Sequence, residues 1–496
     1  MKIEIEESRG EFVTAMMLAQ LTDDQAAPPV LVEGLALDSR QVKPGYLFAG
    51  LSGVRDDGAR HVPDAIARGA RVILVDADVD VVVPSDVILL RRTNARRALA
   101  LMAARFYGAQ PDVCVAVTGT NGKSSVADMW RQLASLRGHK AASIGTLGIR
   151  VPDAVRDSGL TTPDCLRLQQ SLAELADAGI SHACLETSSH GLAQYRADGV
   201  RLAAGAFTNL SRDHLDYHKT LEAYLYAKMR LPGELLMPGA AMVVNADDAF
   251  AAEVEALAWA RGLKVISIGM RGSQLALLLR EPVARGQRLF LRWGRQEFRV
   301  DLPLIGAFQA SNAMVAAALL IATGESPSQV LPLLARLKPV PGRLEWIGTN
   351  AKGAPVYVDY AHTPDGLRTV LADLRPHCAG RLHVVFGAGG DRDQGKRPEM
   401  GAVALAGADR IYVTDDNPRG EDPAAIRSQI LAACPGAGEY ADRAEAIAAA
   451  VDAAGAGDLV VIAGKGHETG QIIGDQTLPF NDGAVARACL AQAGAV

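Results

Sequence analysis

The chain is sparing with several residues and patterns that would have signalled a specialised class. Its six cysteines (Cys114, Cys165, Cys184, Cys378, Cys434 and Cys489) stand singly, with no CxxC pair. That scatter argues against a disulfide frame or a zinc site and for a reducing compartment. No run approaches the roughly 18 apolar residues of a membrane span. The opening MKIEIEESRGEF carries acids where a secretory signal carries an apolar stretch, so no signal peptide is expected. Positive charge is not in excess either. A formal net charge of −5 leaves no basic footprint, which speaks against nucleic acid as a partner. No internal repeat is visible. These absences lead one to expect a cytoplasmic protein without membrane insertion.

What is present is ample core material: 49% hydrophobic and 22% charged residues in 496. That length exceeds one core, so several domains are expected. Strand-like and helix-like patterns alternate almost throughout, the signature of α/β architecture with mostly parallel sheets. Three domains are expected. A small α/β domain spans 1–95, and a central unit spans 96–338, mostly parallel with a small antiparallel element after Gly269. The Pro-rich LKPVPGRLEW reads as a linker into a last α/β domain over 339–496.

The sharpest local signal is VTGTNGKSS, residues 117–125. A strand runs into a Gly-rich turn and then a helix, the context of a phosphate loop. Gly119 and Gly122 would let backbone N–H groups face one point, aided by Thr120, Asn121 and Ser125, at the positive end of a helix. Lys123 would reach the β- and γ-phosphates and the Ser124 hydroxyl would sit on Mg²⁺. Val117 stands where the usual motif has its first glycine.

LETSSHG (185–191) and TNLSRDHLDYH (208–218) also follow apolar strands. Glu186 and His214 would therefore project at the ligand end of a parallel sheet, as metal ligands, although each singly also fits a structural role. Lys228, on an amphipathic helix, reads by composition as a snorkelling surface lysine. In the last domain GAGGDRDQGKRPEM, DDNPR and AGKGHE bring Arg392, Arg419 and Glu468 to strand ends. Each alone also fits a solvated loop charge.

Taken together and in order, TGTNGKSS, ETSSHGL, TNLSRDHLDYH, YLYAK, VDYAHTPD, DDNPR and GKGHE resemble the Mur ligases of bacterial cell-wall synthesis. The resemblance implies an N-terminal domain for a UDP-linked substrate, a central ATPase and a C-terminal Rossmann-like domain for an incoming amino acid. It implies ATP as co-substrate, Mg²⁺ as cofactor and an acyl-phosphate route to an amide. By the same resemblance Ser124, Glu186, His214 and Lys228 surround magnesium, with Lys228 carbamylated to N6-carboxylysine. Asn312, Arg343 and Asp359 would contact ATP. Leu37, Ser39, Val54, Arg55, Asp56, Thr161, Thr162, Ser188, Gln194 and Arg196 would hold UDP-MurNAc-L-Ala-D-Glu.

The form DNPR goes, by resemblance, with meso-diaminopimelate as the added amino acid. Chemistry agrees. Diaminopimelate ends in a second carboxylate and ammonium, where lysine ends in an ammonium alone. Arg419 offers a fork to that carboxylate and repels lysine's ammonium. Arg392 suits the other carboxylate, Asp416, Asn417 and Glu468 suit an ammonium, and Pro418 and Gly464 shape the turns. The rivals are a lysine-adding relative, a folylpolyglutamate synthase, and a P-loop NTPase without ligase activity.

Overall fold

The computed structural model describes residues 15–53, 57–283 and 285–493. They form two compact units, one within Met1–Ser273 and Val315–Ser326, the other within Gln274–Met314 and Pro327–Val496.

The first unit contains two sheets. Near the amino end β1 (Met16–Met17) and β2 (Leu31–Val32) make a short antiparallel pair. Then β3 (Gly34–Ala36), β4 (Tyr46–Ala49), β5 (Val72–Asp76) and β6 (Ile88–Arg92) form an all-parallel sheet in sequence order. The helix Ala95–Tyr107, capped by the Asn94 side chain, buries Leu99, Met102 and Phe106 in the same core as Leu47, Val72 and Leu74. Its apolar face belongs with the N-terminal sheet.

The central sheet runs in the order β10-β9-β8-β11-β7-β12-β13-β14. Its strands are β7 (Val113–Thr118), β8 (Ala141–Gly145), β9 (Gly148–Val151), β10 (Ala154–Arg156), β11 (His182–Glu186), β12 (Leu202–Phe207), β13 (Ala241–Asn245) and β14 (Lys264–Gly269). The pairs from β8 to β14 are parallel, and β9 and β10 fold back antiparallel. CVAVT in β7 is buried on both faces, as a strand covered by helices on both sides must be. Because β7 has β11 on one side and β12 on the other, the chain reverses its direction of travel across the sheet at β7. The loops after β7, β11 and β12 therefore open into one crevice at the carboxyl ends of the strands.

In the second unit β15 (Leu275–Val283), β16 (Gly286–Trp293) and β17 (Gln296–Leu302) are antiparallel, the expected β-rich element. A six-stranded sheet follows in the order β18-β19-β23-β20-β21-β22. Its members are β18 (Glu345–Thr349), β19 (Pro355–Asp359), β20 (Leu382–Phe386), β21 (Arg410–Thr414), β22 (Gly438–Tyr440) and β23 (Leu459–Ala463). All neighbours are parallel except β18, which comes out of the Pro-rich linker and pairs antiparallel with β19. A hairpin, β24 (Gly470–Ile473) and β25 (Gln476–Pro479), stands apart from that sheet. Mixed α/β architecture with parallel sheets and small antiparallel additions is what the alternation of patterns led one to expect, and a Rossmann-like last part is what the family resemblance implies.

Candidate active site

The phosphate loop is shaped by its glycines. Gly119 has φ 150° and Gly122 φ 87°, conformations that side-chain-bearing residues rarely adopt. A Cβ on Gly119 would lie 1.9 Å from Thr208 Oγ1. Position 117 needs no glycine because Val117 is still in β7, paired with Glu186 and Ala206. The loop after β12 lashes this turn in place. Thr120 N donates to Asn209 O at 2.8 Å, Asn121 N to Asn209 Oδ1 at 2.9 Å, and Asn209 Nδ2 back to Asn121 O at 3.1 Å. Asn209 was not singled out in the sequence, although it sits inside TNLSRDHLDYH. Buried Ser125 follows Ser124 into the helix Lys123–Leu136, whose first turn has no side-chain cap. Its leading N–H groups thus lack an internal side-chain acceptor.

Two lysines converge on one carbonyl. Lys123 Nζ donates to Gly119 O at 3.0 Å and Thr120 O at 2.7 Å, and Lys228 Nζ donates to Gly119 O at 2.7 Å. Lys228 is not the snorkelling surface residue its composition suggested, because it is only 1% exposed. Tyr224, one helical turn earlier, brings its ring within 4.4 Å of Lys228 Nζ and donates its hydroxyl to Thr120 Oγ1 at 3.2 Å. Burial, with the Lys123 charge added to it, holds the Lys228 ammonium well below the usual lysine range, against a smaller opposing pull from Asp213. These surroundings favour the uncharged amine of Lys228 over its ammonium.

Glu186, at the end of β11, is 2% exposed and accepts from Ser124 Oγ at 3.0 Å, Thr146 N at 3.0 Å and Thr146 Oγ1 at 3.2 Å. Gly145 makes the room, since a Cβ there would meet Glu186 Oε1 at 2.0 Å. The hydroxyl and the carboxylate expected around magnesium are thus in contact, and hard oxygen donors of this kind suit that ion. His214 takes a left-handed conformation (φ 52°), with Nε2 3.5 Å from Asp213 Oδ2. Its ring meets His190 edge-on at 4.9 Å and lies 6.1 Å from Tyr224, so it joins Lys228 through the tyrosine they share. Among the described residues no three His, Cys, Asp or Glu side chains form a metal-holding group. The expected set contains only one carboxylate and one imidazole, and its further anionic ligand would have to come from a modified Lys228.

Beside Glu186 lies a hydroxyl and amide network. Thr161 Oγ1 and Thr146 Oγ1 are 2.9 Å apart; Thr162 Oγ1 donates to Glu186 O at 2.9 Å and accepts from Ser188 N at 2.9 Å. Arg196 Nη1 donates to Thr162 O at 2.7 Å, its Nη2 donates to Gln194 Oε1 at 2.7 Å, and Gln194 Nε2 reaches Tyr217 OH at 3.3 Å. Thr161, Thr162, Ser188, Gln194 and Arg196 are therefore one assembly. Leu37 follows β3, and Ser39 opens a short turn capped by Asp38. Val54, Arg55 and Asp56 lie outside the described residues.

In the second unit the expected ATP contacts are linked to one another. Asn312 Nδ2 donates to Gln309 Oε1 at 3.5 Å, and Gln309 Nε2 to Arg343 O at 2.7 Å. Asp359 accepts from Leu344 N and Ala361 N, both at 2.7 Å, while burial pushes its carboxyl up to about 6 against the pull of the Arg343 charge. The Arg343 guanidinium stacks on Tyr360 at 4.5 Å.

The DDNPR and GKGHE loops meet at the ends of β21 and β23. Arg419 is pinned by its backbone, with φ 52°, its N–H on Ile472 O at 3.0 Å and its carbonyl accepting from Gly474 N at 2.8 Å. Arg419 Nη1 donates to Gly390 O at 2.9 Å and Asn417 O at 3.4 Å. Its Nε and Nη2 make no hydrogen bond among the described residues, so one edge of the fork is open. Exposed Arg392 borders the neighbouring Gly389, where an added Cβ would lie 2.8 Å from Arg419 Nη1 and 3.9 Å from Arg392 Cγ. The carbonyl of Pro418 is approached so closely that a Cβ on Gly390 would sit 1.9 Å from it. Gly464 (φ 119°) likewise passes close to Asp416, whose Oδ2 would be 2.8 Å from an added Cβ.

Lys465, not singled out in the sequence, refines the acceptor set. Fully buried, it donates to Asn417 Oδ1 and to Glu468 Oε2, each at 2.9 Å. Asn417 Oδ1 also accepts from Ile472 N at 3.0 Å, and Asn417 Nδ2 donates to Glu468 Oε2 at 3.0 Å. The Asn417 carbonyl is thus already engaged, which leaves Asp416 and the second oxygen of Glu468 as acceptors for an ammonium. Fully buried Arg443 was missed as well. It donates to Asp482 at 2.7 and 2.8 Å, to Ala463 O at 2.9 Å and to Asp415 O at 3.4 Å, tying both loops to the last helix. Nothing in the Ala-rich stretch around it marks that role.

The chain matches models of the Mur ligase family, catalytic domain, over residues 31–107, the Mur ligase middle domain over 117–320 and the Mur ligase, glutamate ligase domain over 342–466. A UDP-N-acetylmuramoyl-L-alanyl-D-glutamate–2,6-diaminopimelate ligase of Brucella melitensis is 50% identical over 465 residues, covering 94% of this chain and 95% of that protein. The Zymomonas mobilis protein of the same name is 50% identical over 463 residues, 92% of this chain and 94% of that one. A solved structure of a ligase so named superposes with a TM-score of 0.73 at 32% identity, covering 97% of this chain and all of that one. A Mycobacterium tuberculosis folylpolyglutamate synthase complexed with ADP and AMPPCP shares the fold, with a TM-score of 0.59 at 20% identity over 74% of this chain and 92% of that one.

Proposed function

The chain belongs to the Mur ligase family, and from that premise we propose that it adds meso-2,6-diaminopimelate to UDP-N-acetylmuramoyl-L-alanyl-D-glutamate at the expense of ATP. A carboxylate is a poor electrophile, so a D-glutamate carboxylate oxygen first attacks the γ-phosphorus and ADP leaves. The amine of diaminopimelate then attacks the acyl carbon, a proton is lost, and the tetrahedral intermediate expels phosphate to give the amide.

Lys123 brings positive charge to the phosphates, and the open helix end behind it binds anions. Magnesium, when bound, would offset the repulsion between triphosphate and carboxylate, held by Ser124, Glu186, His214 and Lys228 in carbamate form. The depressed basicity of Lys228 supports that modification, because a neutral amine can form the N–C bond to CO₂ and release a proton. Asn312, Arg343 and Asp359 are the proposed contacts to ATP. The Thr161–Arg196 assembly would hold the muramoyl-dipeptide, with Leu37, Ser39, Val54, Arg55 and Asp56 toward the UDP end. We place these roles in the three domains expected at 1–95, 96–338 and 339–496 of a cytoplasmic monomer, with the helix Ala95–Tyr107 counted to the first because its apolar face packs in the N-terminal core. No helix among the described residues is long and apolar enough to cross a membrane.

The observation that carries the choice of amino acid is Arg419, whose open Nε–Nη2 edge fits a carboxylate that lysine lacks. The test is phosphate release from ATP, run without the UDP-dipeptide and, with it, in the presence of diaminopimelate, of lysine and of neither. Release only with diaminopimelate is expected. Equal release with lysine would overturn the selectivity, and release without the dipeptide would point to an NTPase with no ligase activity.

A further inference from the structure

We propose that Arg230 is a positioning residue that aims Gln194 and Arg196 at the muramoyl-dipeptide and keeps their loop in register with Lys228. The proposal rests on the substrate reading above and extends it to a residue outside the contact set. Arg230 ends the helix that carries Lys228 and is 6% exposed. Every polar edge of its guanidinium is in use. Nη2 donates to both oxygens of Asp198 at 3.1 Å, Nε and Nη2 donate to Glu234 Oε2 at 3.1 and 2.9 Å, and Nη1 donates to Leu192 O. Its face stacks on the Tyr195 ring at 4.0 Å.

Three of those partners, Leu192, Tyr195 and Asp198, belong to the segment that carries Gln194 and Arg196. Tyr195 has φ 57°, a left-handed conformation costly for a bulky residue unless something holds it. The stack with Arg230 supplies the hold. The neighbours on either side turn the other way, Gln194 toward Tyr217 and Arg196 toward Thr162. Asp198 Oδ1, which Arg230 engages, also accepts from Arg97 Nε at 3.1 Å, from the helix Ala95–Tyr107 of the N-terminal core. One guanidinium thus joins the Lys228 helix to the dipeptide segment, and through Asp198 to the N-terminal core that would hold the UDP end. A residue needed only for stability would lie on any part of this surface. Arg230 instead grips the single reversed residue between two proposed substrate contacts.

The test uses Arg230→Met and Tyr195→Gly in the full chain. The second relieves the left-handed conformation and removes the ring without leaving Asp198 unpaired in the interior. Calorimetric Kd values for the UDP-dipeptide and for ATP are measured beside steady-state KM values. Both variants should weaken UDP-dipeptide binding about tenfold while the ATP Kd stays within roughly threefold of wild type. Arg230→Lys, which keeps the charge but not the stack or fork, should fall between. Unchanged UDP-dipeptide Kd in Tyr195→Gly, or equal loss for both ligands, would overturn the proposal. Failure of the wild type to bind the UDP-dipeptide at all would instead overturn the substrate reading on which it rests.

Discussion

At the end of β7 the backbone builds the site, whereas at the ends of β20, β21 and β23 buried side chains do. The phosphate loop is a turn of two glycines in positive-φ conformations, its peptide groups laced to the backbone and side-chain amide of Asn209, with Lys123 and Ser124 as the side chains it carries. The DDNPR and GKGHE loops are held differently. Lys465 fixes the Asn417 amide, Arg443 with Asp482 ties both loops down, and buried Arg397 donates to Glu421 and Gly389 O from below. A backbone site presents the same N–H groups to any triphosphate. A site of fixed charges discriminates, because each charge is aimed, and a wrong ligand leaves one of them unpaired.

The largest expected effect breaks the first half of that comparison. Among the backbone-built elements Lys228 is the exception, a buried side chain whose surroundings disfavour its charged form. With Lys228 as the proposed carbamate, Lys228→Met should lower kcat by at least about 10³-fold, or ~4 kcal/mol, since methionine cannot form that anionic ligand. Added bicarbonate should raise the activity of depleted wild type and leave the variant unmoved. A variant within tenfold of wild type would show that Lys228 serves only to pack against Tyr224.

The second prediction strikes the other half. Arg443 and Asp482 are both fully buried, so Arg443→Met leaves a carboxylate and the Ala463 carbonyl without their partner. We expect a loss of about 3 kcal/mol in denaturant-induced unfolding, the low end for a broken buried pair. Arg443→Met combined with Asp482→Leu should recover most of it, because the penalty comes mainly from the stranded charge. A loss below about 1 kcal/mol would mean that the loops are held by their own hydrogen bonds.

The same contrast explains what could be read in advance. Parallel sheets, three domains, the phosphate loop and the Glu186 and His214 segments follow from apolar runs ending in Gly-rich or polar turns, which are local patterns. The order of the motifs carried the family. Lys228 was misread by composition alone, since amphipathic spacing cannot tell a lysine that reaches water from one sealed under a tyrosine. Lys465 stood in a quoted motif, yet its contact with Asn417 spans 48 residues. Arg443 left no mark, because its partners are carbonyls and a carboxylate from three other elements. The hairpin that pins Arg419 was not singled out either; it turns at Gly474, which has φ 58° as a tight hairpin turn requires. The close packing of the second site thus comes from long-range pairs that no window of sequence contains.

The smallest expected effect sharpens the comparison at a single side chain. Where the backbone does the recognising, as around Lys123, a point charge suffices; where a side chain does it, geometry should count. Arg419→Lys keeps the charge and, because the backbone is pinned to Ile472 and Gly474, keeps the position of the Cα. It removes the parallel pair of donors on the open Nε–Nη2 edge. The KM for diaminopimelate should rise about 30-fold, near 2 kcal/mol, with the KM for ATP unchanged. The shorter lysine should also relax rejection of L-lysine as a substrate, because its ammonium can withdraw from the incoming one as a fixed guanidinium cannot. An unaltered KM would mean that charge alone selects the distal carboxylate. The distinction between the two sites would then lie in how they are held and no longer in how they recognise.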